Sequence, residues 1–127
     1  MHTVIVVDDD PTNTSLIKLL LEMDGFSVQT SADIAGALDL SRGNTDAFLI
    51  DCHLERGSNG LDLLKDIRMG GTAAASDTVV IVTSGDYRRE VDAEVAGADL
   101  FLLKPYPPDT LSIKLNELLS AKASNGQ

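Results

Sequence analysis

Two hydrophobic rhythms alternate along the chain. Val4 to Val7, Ala47 to Ile50, Val79 to Val82 and Leu100 to Leu103 are unbroken apolar runs too short for helices. Runs of this length suit strands buried on both faces, as in a parallel sheet covered by helices. They predict strands over Thr3 to Val7, Asp46 to Asp51, Thr78 to Thr83 and Leu100 to Leu103, and a weaker pattern predicts another over Phe26 to Gln29. Between them, apolar residues recur at three- and four-residue spacing. Leu16, Leu19, Leu20 and Met23 form the expected buried stripe of a first helix, which Asp10-Pro11 opens and Asp24-Gly25 stops. Ser31 is expected to open a second helix with Ile34, Ala37 and Leu38 inward and Gly43 at its end. After the flexible Gly57-Ser58-Asn59-Gly60 loop, Leu61, Leu64 and Ile67 mark a third helix that Gly70-Gly71 ends.

The fourth expected helix, Asp86 to Ala96, has only Val91, Val95 and a few alanines as anchors, so it should be the least firmly held. Pro107-Pro108-Asp109 begins a fifth, with Leu111, Leu115, Leu118 and Leu119 inward, and Ser120 to Gln127 reads as a frayed polar tail. Strands and helices in alternation imply right-handed crossovers, hence a doubly wound α/β fold with a five-stranded parallel sheet and five helices. Residues 1–121 should form one domain and 122–127 the tail.

Composition narrows the function classes. A net charge of −10, from 20 acidic against 10 basic residues, argues against direct nucleic-acid binding and against an anionic membrane surface. Lys65 with Arg68, and Arg88-Arg89, are the only basic clusters and read as solvated helix faces. The lone Cys52 excludes an internal disulfide and behaves as a small buried hydrophobe, while His2 reads as a surface residue. No basic leader precedes the first apolar run, which three aspartates stop, so a cytoplasmic protein without a membrane span is expected.

In open α/β sheets the ligand crevice lies outside the carboxyl ends of the strands. Those ends carry Asp8-Asp9-Asp10 after the first strand, Asp51 after the third, Thr83-Ser84 after the fourth and Lys104 after the fifth. Clustered carboxylates repel unless a cation sits among them, and hard oxygen donors suit Mg²⁺, which commonly bridges to a phosphate. With a hydroxyl and a lysine added, the set contains a nucleophile, a metal site and groups to hold phosphoryl oxygens.

These segments together, Val4-Ile5-Val6-Val7-Asp8-Asp9-Asp10, Phe48-Leu49-Ile50-Asp51, Val80-Ile81-Val82-Thr83-Ser84 and Phe101-Leu102-Leu103-Lys104-Pro105, resemble a response-regulator receiver domain, the phosphoacceptor module of two-component signalling. The resemblance implies a flavodoxin-like fold with strand order 2-1-3-4-5. It implies that Asp51 accepts the phosphoryl group, that Asp9 binds Mg²⁺ directly and Asp8 through water, and that the His53 backbone carbonyl is another ligand. Thr83 and Lys104 would contact phosphoryl oxygens, with Thr83 and Phe101 as switch residues. Such a module catalyses only its own phosphorylation and dephosphorylation. Its partners would be a sensor histidine kinase or a histidine phosphotransfer protein, with possible downstream docking on the surface of the fourth helix, fifth strand and fifth helix. Glu55 stands where many receivers have proline, and the Asp51–Gly60 loop looks one residue longer than the commonest form, resembling receivers of hybrid sensor kinases. Phe101 occupies a switch position where tyrosine is frequent.

A rival reading comes from Asp8-x-Asp10-x-Thr12, which resembles the nucleophile motif of haloacid-dehalogenase phosphatases. It would make Asp8 the nucleophile, Asp10 the general acid, and Thr83 or Ser84 a phosphate holder. That family expects further acids on a later strand end, where this chain has Lys104. A flavodoxin is disfavoured because a cofactor phosphate prefers backbone N–H groups, and this loop presents carboxylates.

Overall fold

The chain folds, in a computed structural model that describes residues 1–54 and 57–125, as β1 (Thr3–Val7), α1 (Pro11–Met23), β2 (Ser27–Ser31), α2 (Ile34–Leu40), β3 (Ala47–Asp51), α3 (Gly60–Arg68), β4 (Val79–Ser84), α4 (Glu90–Ala96), β5 (Leu100–Leu103) and α5 (Thr110–Asn125). The five strands are parallel in the order β2-β1-β3-β4-β5, the doubly wound arrangement expected. Side chains on a strand alternate between faces. Ile5, Val7, Phe48, Ile50, Val80 and Val82 therefore meet α2, α3 and α4, while Val4, Val6, Leu49, Val79 and Ile81 meet α1 and α5. Every residue of β3 and β4 is buried, which is why both read as continuous apolar runs.

Asp10 caps α1, its carboxylate accepting from the Thr12 and Asn13 amides at 3.0 and 3.3 Å, with Pro11 in the first turn. The buried face of this helix corrects the expectation. Thr14, Ile17 and Leu21 are inward, whereas Leu16, Leu19 and Met23 are 53, 57 and 73% exposed and Leu20 is half-buried. Thr14 can be buried because its hydroxyl donates to the Asp10 and Pro11 carbonyls at 3.2 and 3.1 Å.

Other boundaries shift for local reasons. Ser31 ends β2, and Asp33 rather than Ser31 caps α2 by accepting from the Gly36 amide at 2.7 Å. Leu38, expected inward, lies at the rim of α2, and Ala37 is its buried residue. The expected Asp86–Ala96 helix is a 3₁₀ turn, Tyr87–Arg89, followed by α4. Val91 and Val95 do not anchor it: they are 66 and 84% exposed, and Ala93 is its buried residue. The sequence expects fraying from Ser120, yet α5 continues to Asn125, with the Lys122 ammonium donating to Asp77 O and Oδ1 at 2.9 and 3.2 Å.

Away from the carboxyl ends of the strands, Arg68 at the end of α3 ties three elements together. Its guanidinium donates to Gly97 O at 2.9 Å, Ser76 O at 2.9 Å, Thr78 O at 2.6 Å and Asp99 Oδ2 at 3.0 Å. Asp99 Oδ2 also accepts from the Val80 amide at 2.8 Å. Gly97 ends α4 at φ 105°, and a Cβ there would stand 3.0 Å from Arg68 Cγ, so glycine serves both the left-handed turn and the close approach. Among the described residues no helix is long and apolar enough to cross a membrane.

Candidate functional site

The carboxyl ends of four strands converge on a small acidic recess. Asp51 closes β3 with its side chain buried, and Thr83 is its direct neighbour in the β3/β4 register. β1 ends at Val7, and the turn that follows buries Asp8 while leaving Asp9 half-exposed. Lys104 follows β5; its amide donates to Ser84 O at 2.8 Å, which sets the lysine over the end of β4. Its ammonium stands 3.2 Å from Asp51 Oδ2 and 3.6 Å from Asp8 Oδ2.

Asp8, Asp9 and Asp51 each offer a carboxylate oxygen, and these oxygens lie within 4.8 Å of one another. Three hard oxygen donors so close together fit a magnesium ion, whose remaining positions are filled by water or phosphate. Burial raises the Asp51 carboxyl above the ordinary 3.8; Lys104 and the His53 amide pull it back, and Asp8 adds to the rise. Burial beside Asp51 also pushes the Cys52 thiol up to about 11, so this sulfur stays protonated and unreactive at neutral pH.

Of the residues singled out in the sequence, Asp8, Asp9, Asp51, Thr83 and Lys104 come together here. His53 lies two residues after Asp51 in the loop; its amide donates to Asp51 Oδ1 at 3.3 Å and its side chain is exposed. Phe101 is half-buried in β5, paired with Val82 and packed against the core on the α3/α4 side. Asp10 is exposed and its carboxylate is engaged in capping α1, while the Ser84 hydroxyl accepts from the Asp86 amide at 3.0 Å. Glu55 lies outside the described residues.

Sequence reasoning missed three features. Asn13 projects from the first turn of α1 and its side-chain amide donates to Asp8 Oδ2 at 2.7 Å; its place three residues after the Asp10 cap was the available signal. Gly60 packs so tightly on β3 that a Cβ there would overlap the Asp51 carbonyl oxygen and stand 2.7 Å from Ile50 Cγ2. Between α1 and the segment after β5 runs a groove of about 260 Å³, lined by Leu16, Leu20, Lys104, Tyr106 and Pro108 among others. No local pattern announces such a groove, because its walls come from opposite ends of the chain.

The model for the response regulator receiver domain matches residues 4–116. The transcriptional regulatory protein CpxR of Escherichia coli K12 is 34% identical over 119 residues, covering 94% of this chain and 50% of that protein, so the chain spans half the length of that relative. A receiver domain protein of Methanospirillum hungatei has the same fold, with a TM-score of 0.87 at 24% identity over 98% of both chains. The response regulator TrrA of Thermotoga maritima, solved in complex with Mg²⁺-BeF, aligns with a TM-score of 0.79 at 26% identity over 93% of this chain and 99% of its own. With its strand order, its acidic recess and a family match over nearly its whole length, this chain belongs to the response regulator receiver domains of two-component signalling.

Proposed function

We propose that the domain is a phosphoacceptor whose Asp51 carboxylate takes a phosphoryl group in a Mg²⁺-dependent reaction. The observation that carries this reading is the single ammonium of Lys104 at 3.2 Å from Asp51 Oδ2, beside a carboxylate cluster spanning 4.8 Å. An isolated acid at a strand end needs no such company. Asp9 and Asp51 would hold the ion directly, Asp8 through water, with the His53 carbonyl as a further ligand. Bound there, Mg²⁺ offsets the repulsion between the acids and an incoming phosphate. An Asp51 oxygen attacks phosphorus, the bond to the donor's nitrogen or oxygen breaks, and the leaving group departs with that electron pair. Thr83 and Lys104 bind the phosphoryl oxygens, and Lys104 replaces its contact with Asp51 by one to the new group. The chain thus catalyses its own modification and its reversal and turns over no other substrate.

The readout is the surface of α4, β5 and α5. Thr83 turns toward the phosphoryl group and vacates space into which Phe101 swings, a local charge change that biases a two-state packing element. Support comes from α4 itself, where Ala93 is the buried residue and Tyr87, Val91 and Val95 before and along it are exposed. Phe101 has no hydroxyl, so burial alone separates its two positions. The donor is a cytoplasmic sensor histidine kinase or histidine phosphotransfer protein. Its natural seat is the exposed leucine face of α1 and the groove beside Lys104, which lie next to the recess. The output is docking or relay through protein contact, without direct nucleic-acid binding.

The phosphatase alternative gains no support, because the strand end where that family expects a further acid carries Lys104, whose ammonium stands 3.2 Å from Asp51 Oδ2. Incubation with Mg²⁺ and acetyl phosphate, followed by mapping of the modified residue, tests the reading. Label should appear on Asp51, vanish in Asp51→Asn and vanish in excess chelator. Label that persists in Asp51→Asn and disappears in Asp8→Asn would establish the phosphatase chemistry instead.

A further inference from the structure

Lys104 is one cation between two buried carboxylates. Its ammonium stands 3.2 Å from Asp51 Oδ2, within hydrogen-bonding distance, and 3.6 Å from Asp8 Oδ2, outside it. Both acids are less than a tenth exposed, so each strongly prefers a donor. The near-tie is broken by Asn13. Its amide donates to Asp8 Oδ2, the same oxygen that faces Lys104, while Asp8 Oδ1 is taken by the Asp10 amide. The orientation of the Asn13 amide follows from chemistry, because an ionised carboxylate only accepts and the amide oxygen would repel it.

We infer that Asn13 is a positioning residue for phosphoryl transfer: by satisfying Asp8 Oδ2 it keeps Lys104 on the Asp51 side of the recess, where the phosphoryl oxygens arrive. Without that amide, the buried Asp8 oxygen has Lys104 as its nearest alternative donor, and a shift of well under 1 Å from the 3.6 Å contact makes that bond at the expense of the one to Asp51. Charge-assisted hydrogen bonds are strong enough to drive the exchange. Asn13 also lines the groove between α1 and Lys104, so a group seated there touches the residue that sets the lysine. The inference rests on the phosphoacceptor reading for its kinetic consequence, though not for its geometry.

The test compares Asn13→Ala in the unsubstituted chain and in a Lys104→Met background, at saturating Mg²⁺ and acetyl phosphate. Asn13→Ala should slow labelling about tenfold in the first, the worth of one hydrogen bond to a charged group, and less than about twofold in the second, where there is no ammonium to misplace. Equal losses in both backgrounds, or none in the first, would overturn the inference. NMR of the Lys104 side chain in chelator supplies a readout independent of phosphorylation. In Asn13→Ala its Cε and Nζ signals should shift while the backbone amides of β3 and β4 stay in place; unmoved Lys104 signals would refute the inference even if labelling slowed. If the unsubstituted chain takes no label, the phosphoacceptor reading falls, and the NMR comparison alone decides the role of Asn13. Thermal melting separates both from misfolding, since Asn13 is half-exposed on the first helical turn.

Discussion

Lys104 reaches Asp51 across an intervening strand: Asp51 ends β3, Lys104 follows β5, and β4 lies between them, yet their charged atoms are 3.2 Å apart. The lysine spans that distance because its amide is fixed to Ser84 O at the end of β4, leaving the long side chain to bridge the rest. The pair is part of the resting recess, and it partly compensates the burial of the Asp51 carboxylate.

That compensation is incomplete, which has a measurable consequence for stability. Burial raises the folded-state pKa of Asp51 above its unfolded value, so the stabilisation linked to its protonation is full below about pH 3.8 and lost as pH rises through the raised folded value. At neutral pH the ionised carboxylate therefore opposes folding. In chelator, Asp51→Asn should melt at a higher temperature than the unsubstituted chain at pH 7, with the gap closing as pH falls toward 3.8. A gap that widens on acidification would show that Lys104 outweighs burial.

Gly60→Ala should damage the recess without touching a charged group. The added methyl overlaps the Asp51 carbonyl oxygen and presses on Ile50 Cγ2 at 2.7 Å, and both belong to a fully buried strand. Overpacking of this kind costs about 1–3 kcal/mol. Urea denaturation should show that loss, and labelling of Asp51 by acetyl phosphate should slow with it.

The guanidinium of Arg68 serves acceptors in several directions, so charge alone cannot replace it. Arg68→Ala should lower stability by about 2 kcal/mol, and Arg68→Lys should recover less than half of that, because an ammonium cannot serve the fork. Amide exchange should accelerate most in α4 and at the start of β4. Equal acceleration throughout the sheet would show that the clamp is a general stabiliser rather than a local one.

The two faces of α1 should separate stability from recognition. Ile17→Ala removes a buried side chain and should cost about 2–4 kcal/mol, whereas Leu16→Gln with Leu19→Gln should stay within about 0.5 kcal/mol per site. The double glutamine variant should take phosphoryl groups from acetyl phosphate at the unsubstituted rate and from a phosphorylated histidine phosphotransfer protein more slowly. Equal rates from both donors would remove α1 from the docking surface.

The contrast on α1 also marks what can be read from sequence alone. Asp8, Asp9, Asp51, Thr83 and Lys104 are legible because each lies within two residues of the end of a short apolar strand, and parallel strands bring all their carboxyl ends to one edge. A helix gives less away. Leu16, Leu19, Leu20 and Met23 outnumber the inward set, and periodicity counts apolar residues without knowing which face the sheet takes. Thr14 on the inward face hid it further, since only its back-bond to Asp10 and Pro11 makes a buried hydroxyl acceptable. In α4 the valines are the largest apolar residues and so read as anchors, whereas Ala93 is what fits against the core. Asn13 and Gly60 depend on contacts between elements, to which no local pattern refers.

The Asp51–Gly60 loop is closed at its base, by the Gly60 amide on Cys52 O at 2.9 Å, the Leu54 amide on Ser58 O at 3.0 Å and the bridge between His53 and Asn59. The cost of a closed loop grows only slowly with its length, and these contacts join its two arms next to the strand. A disturbance farther along the loop thus meets these contacts before it reaches Asp51.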